Sequence, residues 1–153
     1  AAIAFCSRTQ LDPSARFLVA DAERLPFAEG SFDAVTNVES SHTYPGIDRF
    51  YAEVHRVLAS GGVFLYADLV AAERLPQRLR SLSDAGLRLE SSRDITCNVL
   101  VACDETAVRR LAAFGTGNDA RTMDNFLAVP GSKVYEDMAS GRSMYGIWRV
   151  RKP

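Results

Sequence analysis

Short apolar runs alternate along the chain with stretches of helical periodicity. The first three runs, each closed by a polar residue, predict buried strands over residues 16–20, 32–38 and 63–67. Between the second and third runs, apolar residues at i, i+4, i+7 and i+8 predict a helix that ends at Gly61 and Gly62. This strand–helix–strand order is typical of an α/β fold with a parallel sheet and helices on both faces.

The second half of the chain continues the same alternation. Its predicted elements are a helix with Leu75, Leu79 and Leu82 on one face, a strand over 87–95, a helical pattern within 98–114 with Asp104 as its cap, a loop over 115–120 and a last strand over 143–150. The sequence contains no internal repeat and no break in composition. We therefore expect one domain over residues 1–153.

Composition and charge argue against several classes of partner. The net charge is −1, which gives no electrostatic basis for binding nucleic acid or an anionic membrane. Three cysteines without metal-type spacing indicate buried thiols of a reducing compartment, so we expect a cytoplasmic protein. No apolar run approaches the length of a membrane span, and no His, Cys and carboxylate cluster has metal-ligand spacing. We expect a small-molecule ligand and no bound metal.

Polar side chains follow the first two predicted strands. Asp21 comes directly after the first strand, and Asn37, Glu39 and His42 lie at the end of the second. Ligands of open α/β sheets bind outside the carboxyl ends of the strands, so these residues predict a ligand-binding edge. An imidazole exchanges its proton near neutral pH, which makes His42 a candidate general base.

Four motifs follow one another in the first half of the chain. They are Asp21-Ala22, Leu25-Pro26-Phe27, Ser31-Phe32-Asp33-Ala34-Val35, and Glu53-Val54-His55-Arg56-Val57-Leu58 with Gly61-Gly62. In this order and spacing they resemble the class I methyltransferases that use S-adenosylmethionine. The segments 37–45 and 64–68 are similar to the actinobacterial phthiotriolone/phenolphthiotriolone-type small-molecule O-methyltransferases. The resemblance implies a Rossmann-like class I methyltransferase sheet, parallel except for an antiparallel last strand.

The resemblance also implies a set of cofactor contacts. Asp21 matches the acidic residue that accepts from the adenine amino group, and the main-chain N–H of Ala22 matches the contact to a ring nitrogen. Asn37 and Val38 match the end of the strand that passes the methionine moiety and the sulfonium. The implied cofactor is S-adenosyl-L-methionine.

The same resemblance implies catalytic and acceptor residues. His42 would remove the proton of the acceptor hydroxyl, and Glu39 would orient His42 or contact the cofactor. Tyr44, Tyr66 and Asp68 border the same edge and would shape the acceptor pocket. Residues 98–140 would form a cap over the acceptor.

Two elements of the family are absent from the 153 residues. No glycine-rich G-x-G loop occurs, and the chain opens in what matches the helix after the family's second strand, so we expect the first two strands to be lacking. In the family's strand order 3-2-1-4-5-7-6, strand 3 would then stand about 14 Å from strand 4 with nothing between. We therefore expect the isolated chain to bind S-adenosylmethionine weakly or not at all. A dimer, or association with the missing segment, would fill the gap.

The leading hypothesis is a methyltransferase that moves a methyl group from S-adenosylmethionine to a hydroxyl of a small lipophilic or polyketide-like molecule in lipid or secondary metabolism. The alternative is a catalytically inactive, truncated or partner-dependent methyltransferase-like protein. A nicotinamide-dependent reductase is disfavoured because its fingerprint glycines and a Tyr-x-x-x-Lys motif are absent. The acceptor, and the choice of oxygen or carbon as the methylated atom, stay open.

Overall fold

A computed structural model describes residues 2–9, 12–114 and 124–153 of the chain. The predicted loop over 115–120 lies outside these residues. Strands lie at β1 (Phe32–Val38), β2 (Leu58–Ala71), β3 (Arg88–Asp94) and β4 (Ser143–Arg151). Helices lie at α1 (Ala2–Thr9), α2 (Ile47–Val57), α3 (Leu75–Asp84), α4 (Thr96–Phe114) and α5 (Lys133–Ala139). Short 3-10 turns span Ser41–Thr43 and Ala72–Arg74.

The four described strands form one mixed sheet in the order β1-β2-β4-β3. β1 and β2 are parallel, and α2 makes the crossover that parallel neighbours require. β4 lies between β2 and β3 and is antiparallel to both. This topology confirms the predicted α/β class with an antiparallel last strand.

One face of the sheet carries the main core. Side chains alternate along β2, so Phe64, Tyr66 and Val70 share this face, which α2 and α3 cover. The Phe64 and Tyr66 rings are stacked with centroids 5.2 Å apart, and Tyr66 lies 5.0 Å from the buried ring of Trp148 on β4. The opposite face of β2 presents its odd-numbered residues, among them Leu65 and Leu69, of which Leu65 is exposed.

The predicted first strand over residues 16–20 is wrong. These residues form no strand, and Phe17, Leu18 and Val19 are exposed. A strand needs a partner for its backbone N–H and C=O groups, and none of the described strands pairs with this segment. An apolar run alone is therefore insufficient to form a strand here.

Two predicted helix boundaries are also wrong. α2 ends at Val57 and the chain turns directly into β2, so Gly61 and Gly62 lie inside a strand rather than after a helix. α4 begins at Thr96, so Asp104 lies within the helix instead of capping it. Asp94 satisfies that helix start, because its Oδ1 accepts from the backbone N–H and the hydroxyl of Thr96 at 2.8 and 2.5 Å.

None of the described helices is both long enough and apolar enough to cross a lipid bilayer.

Candidate active site

A fully buried carboxylate forms the centre of the predicted edge. Asp68 lies within β2 on the core face and has no exposed surface. Its Oδ2 accepts from the Ser41 hydroxyl at 2.6 Å and the His42 backbone N–H at 3.0 Å. Its Oδ1 lies 2.6 Å from the imidazole Nδ1 of His42 and accepts from the Leu69 backbone N–H at 2.9 Å. Four donors therefore satisfy this buried carboxylate, as a buried charge requires.

His42 stands between this carboxylate and the surface. It lies in the 3-10 turn that follows β1, and its side chain is 38% exposed. Because the Asp68 carboxylate is an acceptor, its contact with Nδ1 fixes the tautomer that carries the proton on Nδ1. The Nε2 lone pair is then free to accept a proton from a bound molecule.

A chain of hydroxyl groups lies behind the carboxylate. Because Ser41 gives its single hydroxyl proton to Asp68, Tyr66 donates to Ser41 at 2.6 Å and Tyr51 donates to Tyr66 at 3.4 Å. Burial raises the pKa of both tyrosines, which keeps them protonated as donors. Half-buried Arg78 of α3 completes the network, since its Nη1 lies 3.2 Å from the Ser41 and Tyr66 oxygens.

Asn37 ends β1 beside this network. Its Nδ2 donates to Ser40 Oγ at 2.8 Å and to Tyr44 OH at 3.3 Å, and those two oxygens lie 3.0 Å apart. Its Oδ1 is buried and has no hydrogen-bond partner among the residues that the structure describes. A buried acceptor without a partner costs about 1–3 kcal/mol, so this atom is suited to a donor from a bound ligand.

The turn that carries Asp21 is fixed to the start of α2. Asp21 is exposed, and its Oδ1 accepts from the Glu23 backbone N–H at 2.9 Å. Ala22 packs against the core cluster. Glu23 in turn accepts from the Gly46 backbone N–H and from the Arg49 side chain, both at 2.6 Å.

A second pair of α2 residues holds the next part of this segment. Glu53 accepts from the Leu25 backbone N–H at 2.7 Å, and Arg56 donates to the Leu25 and Phe27 carbonyl oxygens at 2.9 and 2.7 Å. The two side chains also pair with each other, and the Arg56 guanidinium lowers the pKa of Glu53. The segment with Asp21 therefore has a fixed position although it belongs to no strand.

A cavity of about 340 Å³ opens on the other face of the sheet. α4, α5 and residues 126–128 form most of its apolar wall, and Leu69 and Tyr145 contribute from β2 and β4. Glu39 adds a carboxylate to the lining. The volume lies in the range typical of small-molecule sites.

The structure separates the predicted acceptor residues from this cavity. Tyr66 and Asp68 point to the core face and are buried, and Tyr44 contacts Asn37. Val38 occupies the opposite face from Asn37 and is 63% exposed. The other predicted site residues lie at two places. Asn37, Glu39 and His42 lie at or just after the carboxyl end of β1, and Asp21 and Ala22 lie in the segment before β1. Their assigned roles stay predictions.

Sequence reasoning missed several residues of the network. Ser41 lies inside a motif already noted, but its bond to Asp68 depends on how β1 and β2 align. Arg78 falls at i+3 from Leu75 and i−4 from Leu82, so it belongs to the apolar face of α3. A charged residue on the apolar face of a helix indicates that it has a buried polar partner, and this was the feature of the sequence that could have identified Arg78.

Within the described part of the chain, no group of three or more His, Cys, Asp or Glu side chains is placed to hold a metal ion.

Comparison with known proteins identifies the family of this chain. The model of a methyltransferase domain matches residues 1–66. A fatty-acid O-methyltransferase of Mycolicibacterium smegmatis is 36% identical over 99% of this chain and 56% of its own length. A phthiotriol/phenolphthiotriol dimycocerosates methyltransferase of Mycobacterium leprae is 41% identical over 99% of this chain and 57% of its own length.

A solved structure shows the same fold. The geranyl diphosphate C-methyltransferase of Streptomyces coelicolor, in complex with Mg²⁺, geranyl diphosphate and S-adenosyl-L-homocysteine, superposes with a TM-score of 0.73 at 17% identity. The match covers 97% of this chain and 57% of that protein. The chain thus spans little more than half the length of each of these relatives, and it belongs to the class I S-adenosylmethionine-dependent methyltransferase family.

Proposed function

We propose that this chain contributes the catalytic edge of an enzyme that transfers a methyl group from S-adenosylmethionine to a hydroxyl oxygen of a small lipophilic molecule. The observation that carries the proposal is the contact between His42 Nδ1 and Asp68 Oδ1 at 2.6 Å. A buried carboxylate paired with a partly exposed imidazole is the arrangement that a general base needs.

The residues at the carboxyl end of β1 fit part of the cofactor. Asn37 offers a buried oxygen to which no described residue donates a hydrogen bond, and this suits the ammonium group of a methionine moiety. Asp21 is exposed, so its carboxylate and the adjacent backbone of Ala22 can bind an adenine. Val38 lies at the carboxyl end of β1. When bound, S-adenosylmethionine supplies an electrophilic methyl group on a sulfonium sulfur.

His42 and Asp68 perform the proton transfer. Nε2 of His42 accepts the proton of the acceptor hydroxyl, which makes the oxygen a better nucleophile. Asp68 holds the Nδ1–H and stabilises the imidazolium that forms, while Ser41 keeps the carboxylate in place. A positioned base contributes about 10²–10⁴-fold in rate, and orientation of the acceptor adds to this.

The apolar lining of the cavity is suited to a lipophilic acceptor. Its apolar residues on α4, α5 and residues 126–128 fall within the predicted cap over 98–140. Two residues that line the cavity are close in sequence to the dyad of His42 and Asp68. Glu39 lies three residues before His42, and Leu69 follows Asp68. The names of the two relatives, a fatty-acid and a phthiotriol methyltransferase, are both those of lipid-modifying enzymes.

An inactive, partner-dependent protein is the alternative. The satisfied Asp68 network favours catalysis, because a buried charge is costly and confers no fold advantage over apolar packing. Cytoplasmic location, and a dimer or association with a segment that carries the glycine-rich loop, stay predictions.

The test is an assay of labelled methyl transfer from S-adenosylmethionine to a long-chain alcohol. It uses the chain supplemented with a family segment that carries the glycine-rich loop, and compares wild type with His42→Ala. We expect wild-type transfer and a loss of about 10²–10⁴-fold in the variant. An unchanged rate in His42→Ala would reject His42 as the base, and no transfer by the wild type would reject the function.

A further inference from the structure

A guanidinium from α3 lies within the hydrogen-bond network behind the dyad of His42 and Asp68. Arg78 Nη1 donates to Ser41 Oγ and to Tyr66 OH, both at 3.2 Å. Ser41 Oγ lies 2.6 Å from Asp68 Oδ2, so one oxygen atom separates the cation from the buried carboxylate. Arg78 is half-buried, and a guanidinium keeps its charge throughout the pH range in which proteins fold.

The other titratable groups that face the dyad contribute no positive charge. Tyr51 of α2 and Tyr66 of β2 are protonated and neutral, because burial raises the pKa of both. Tyr145 of β4 interacts with the dyad carboxylate, and burial raises its pKa as well. Glu39 is exposed and adds a negative charge at the same end of the sheet. Among the residues that the structure describes, Arg78 is therefore the cation that balances the charge of this network.

The protons of the network can be arranged in two ways. With Asp68 ionised, Ser41 donates to the carboxylate, Nδ1 of His42 carries its hydrogen, and Nε2 keeps a lone pair. With Asp68 protonated, the carboxyl group donates to Nδ1, and the hydrogen of the neutral imidazole moves to Nε2. An opposite charge within about 4–6 Å favours an ionised carboxylate, so the Arg78 guanidinium favours the first arrangement.

We propose that Arg78 is a positioning residue of the active site, which acts through Ser41 to keep the hydrogen of the dyad on Nδ1 of His42. This inference rests on the proposed function and adds a residue to the same site. Only the arrangement with a lone pair on Nε2 can remove a proton from an acceptor hydroxyl. The base at the end of β1 therefore depends on a cation of α3 as well as on the carboxylate of β2.

Nitrogen NMR of the imidazoles in the isotope-labelled full chain tests this inference without cofactor or acceptor. The chain has two histidines, so His55→Gln assigns the signals, and His55 of α2 is the internal reference. At mildly alkaline pH we expect wild-type His42 to carry hydrogen on Nδ1 and none on Nε2. Arg78→Met should raise the ratio of protonated to unprotonated Nε2 about tenfold, as expected for the loss of one nearby opposite charge. The His55 signals should not change.

Three further variants separate the charge of Arg78 from its contacts. Arg78→Gln loses the charge but keeps an amide donor, so it should behave like Arg78→Met, and it replaces that variant if Arg78→Met does not fold. Arg78→Lys keeps the charge and should stay near the wild-type ratio. Arg80→Met, at an exposed arginine of the same helix, is the matched control and should give the wild-type spectrum.

Three results would overturn the inference. They are an unchanged Nε2 ratio in both neutral variants, an Arg78→Lys ratio as high as that of Arg78→Met, and a wild-type imidazole with its hydrogen on Nε2. The first two leave the proposed function intact, because methyl transfer and its dependence on His42 are measured separately. If the methyl-transfer assay fails while the Arg78 variants change the Nε2 ratio as expected, the function is rejected and the role of Arg78 in the dyad stands.

Discussion

Nδ1 of His42 lies 2.6 Å from Oδ1 of Asp68, although the two residues are 26 positions apart in the chain. They meet because β1 and β2 are parallel neighbours whose carboxyl ends reach the same edge of the sheet. The 3-10 turn after β1 then folds over β2, and its backbone N–H at His42 donates to the same carboxylate. The imidazole is thus held at two points, by its own ring and by the backbone that carries it.

The first prediction concerns the carboxylate of this dyad. We expect Asp68→Asn to lower the methyl-transfer rate about 10²–10⁴-fold, because an amide cannot accept from four donors and its NH₂ disfavours the required His42 tautomer. The unmet buried donors should also lower the free energy of unfolding by about 1–3 kcal/mol. Transfer assays and urea denaturation measure the two effects.

Asp33→Asn, at an exposed position of β1, is the control for loss of a carboxylate. If Asp68 acts through His42, combining Asp68→Asn with His42→Ala lowers the rate no further than His42→Ala alone. Independent, multiplied losses in the double variant would contradict the positioning role of Asp68.

The second prediction concerns Arg78. Arg78→Met removes the cation that donates to Ser41 and Tyr66, while it keeps most of the apolar stem. We expect the free energy of unfolding to fall by about 1–3 kcal/mol, and the rate to fall by less than in Asp68→Asn, because Arg78 contacts the carboxylate only through Ser41. Arg74→Met, at an exposed residue in the turn before α3, should change neither quantity. Equal effects of the two substitutions would exclude Arg78 from the network.

Elements governed by local pattern could be predicted from the sequence. The limits of β1 were predicted at residues 32–38 because its apolar run starts after a turn and ends in polar residues. The failure over residues 16–20 has the opposite cause. Whether an apolar run becomes a strand depends on a partner edge, and that is not encoded in the run itself.

The location of the site could be predicted from the sequence, but the contacts between its residues could not. Asn37, Glu39 and His42 follow from a strand end, but the relation of His42 to Asp68 depends on which face of β2 each residue takes. The cavity residue Tyr145 depends on the antiparallel register of β4 against β2, which links positions far apart in the chain. Register of this kind is decided by tertiary packing.

The third prediction concerns Glu53. Glu53→Ala removes the acceptor for the Leu25 backbone N–H and the partner of Arg56, so we expect a loss of about 1–3 kcal/mol in the free energy of unfolding. Because Arg56 lowers the folded-state pKa of Glu53, this stabilisation is present above the unfolded-state pKa and disappears as the pH falls through the folded one. Denaturation at neutral and acidic pH measures it.

The difference in the free energy of unfolding between wild type and Glu53→Ala should therefore shrink as the pH is lowered. Glu29→Ala, at an exposed residue of the following turn, controls for loss of a surface carboxylate. A difference that stays constant, or grows, as the pH is lowered would show that the Glu53 charge does not hold the segment.

The last prediction concerns the close approach of Gly146 to Trp148 on β4. A Cβ added at Gly146 would overlap the Trp148 indole, which is buried and lies 5.0 Å from Tyr66 of the active-site network. We expect Gly146→Ala to lower the free energy of unfolding by about 1–3 kcal/mol, the usual cost of overpacking a core. Trp148→Phe shortens the ring, so the combined variant should lose less stability than the sum of the single variants. Urea denaturation of all four proteins measures this coupling, and strictly additive losses would mean that the strain of Gly146→Ala lies elsewhere than against Trp148.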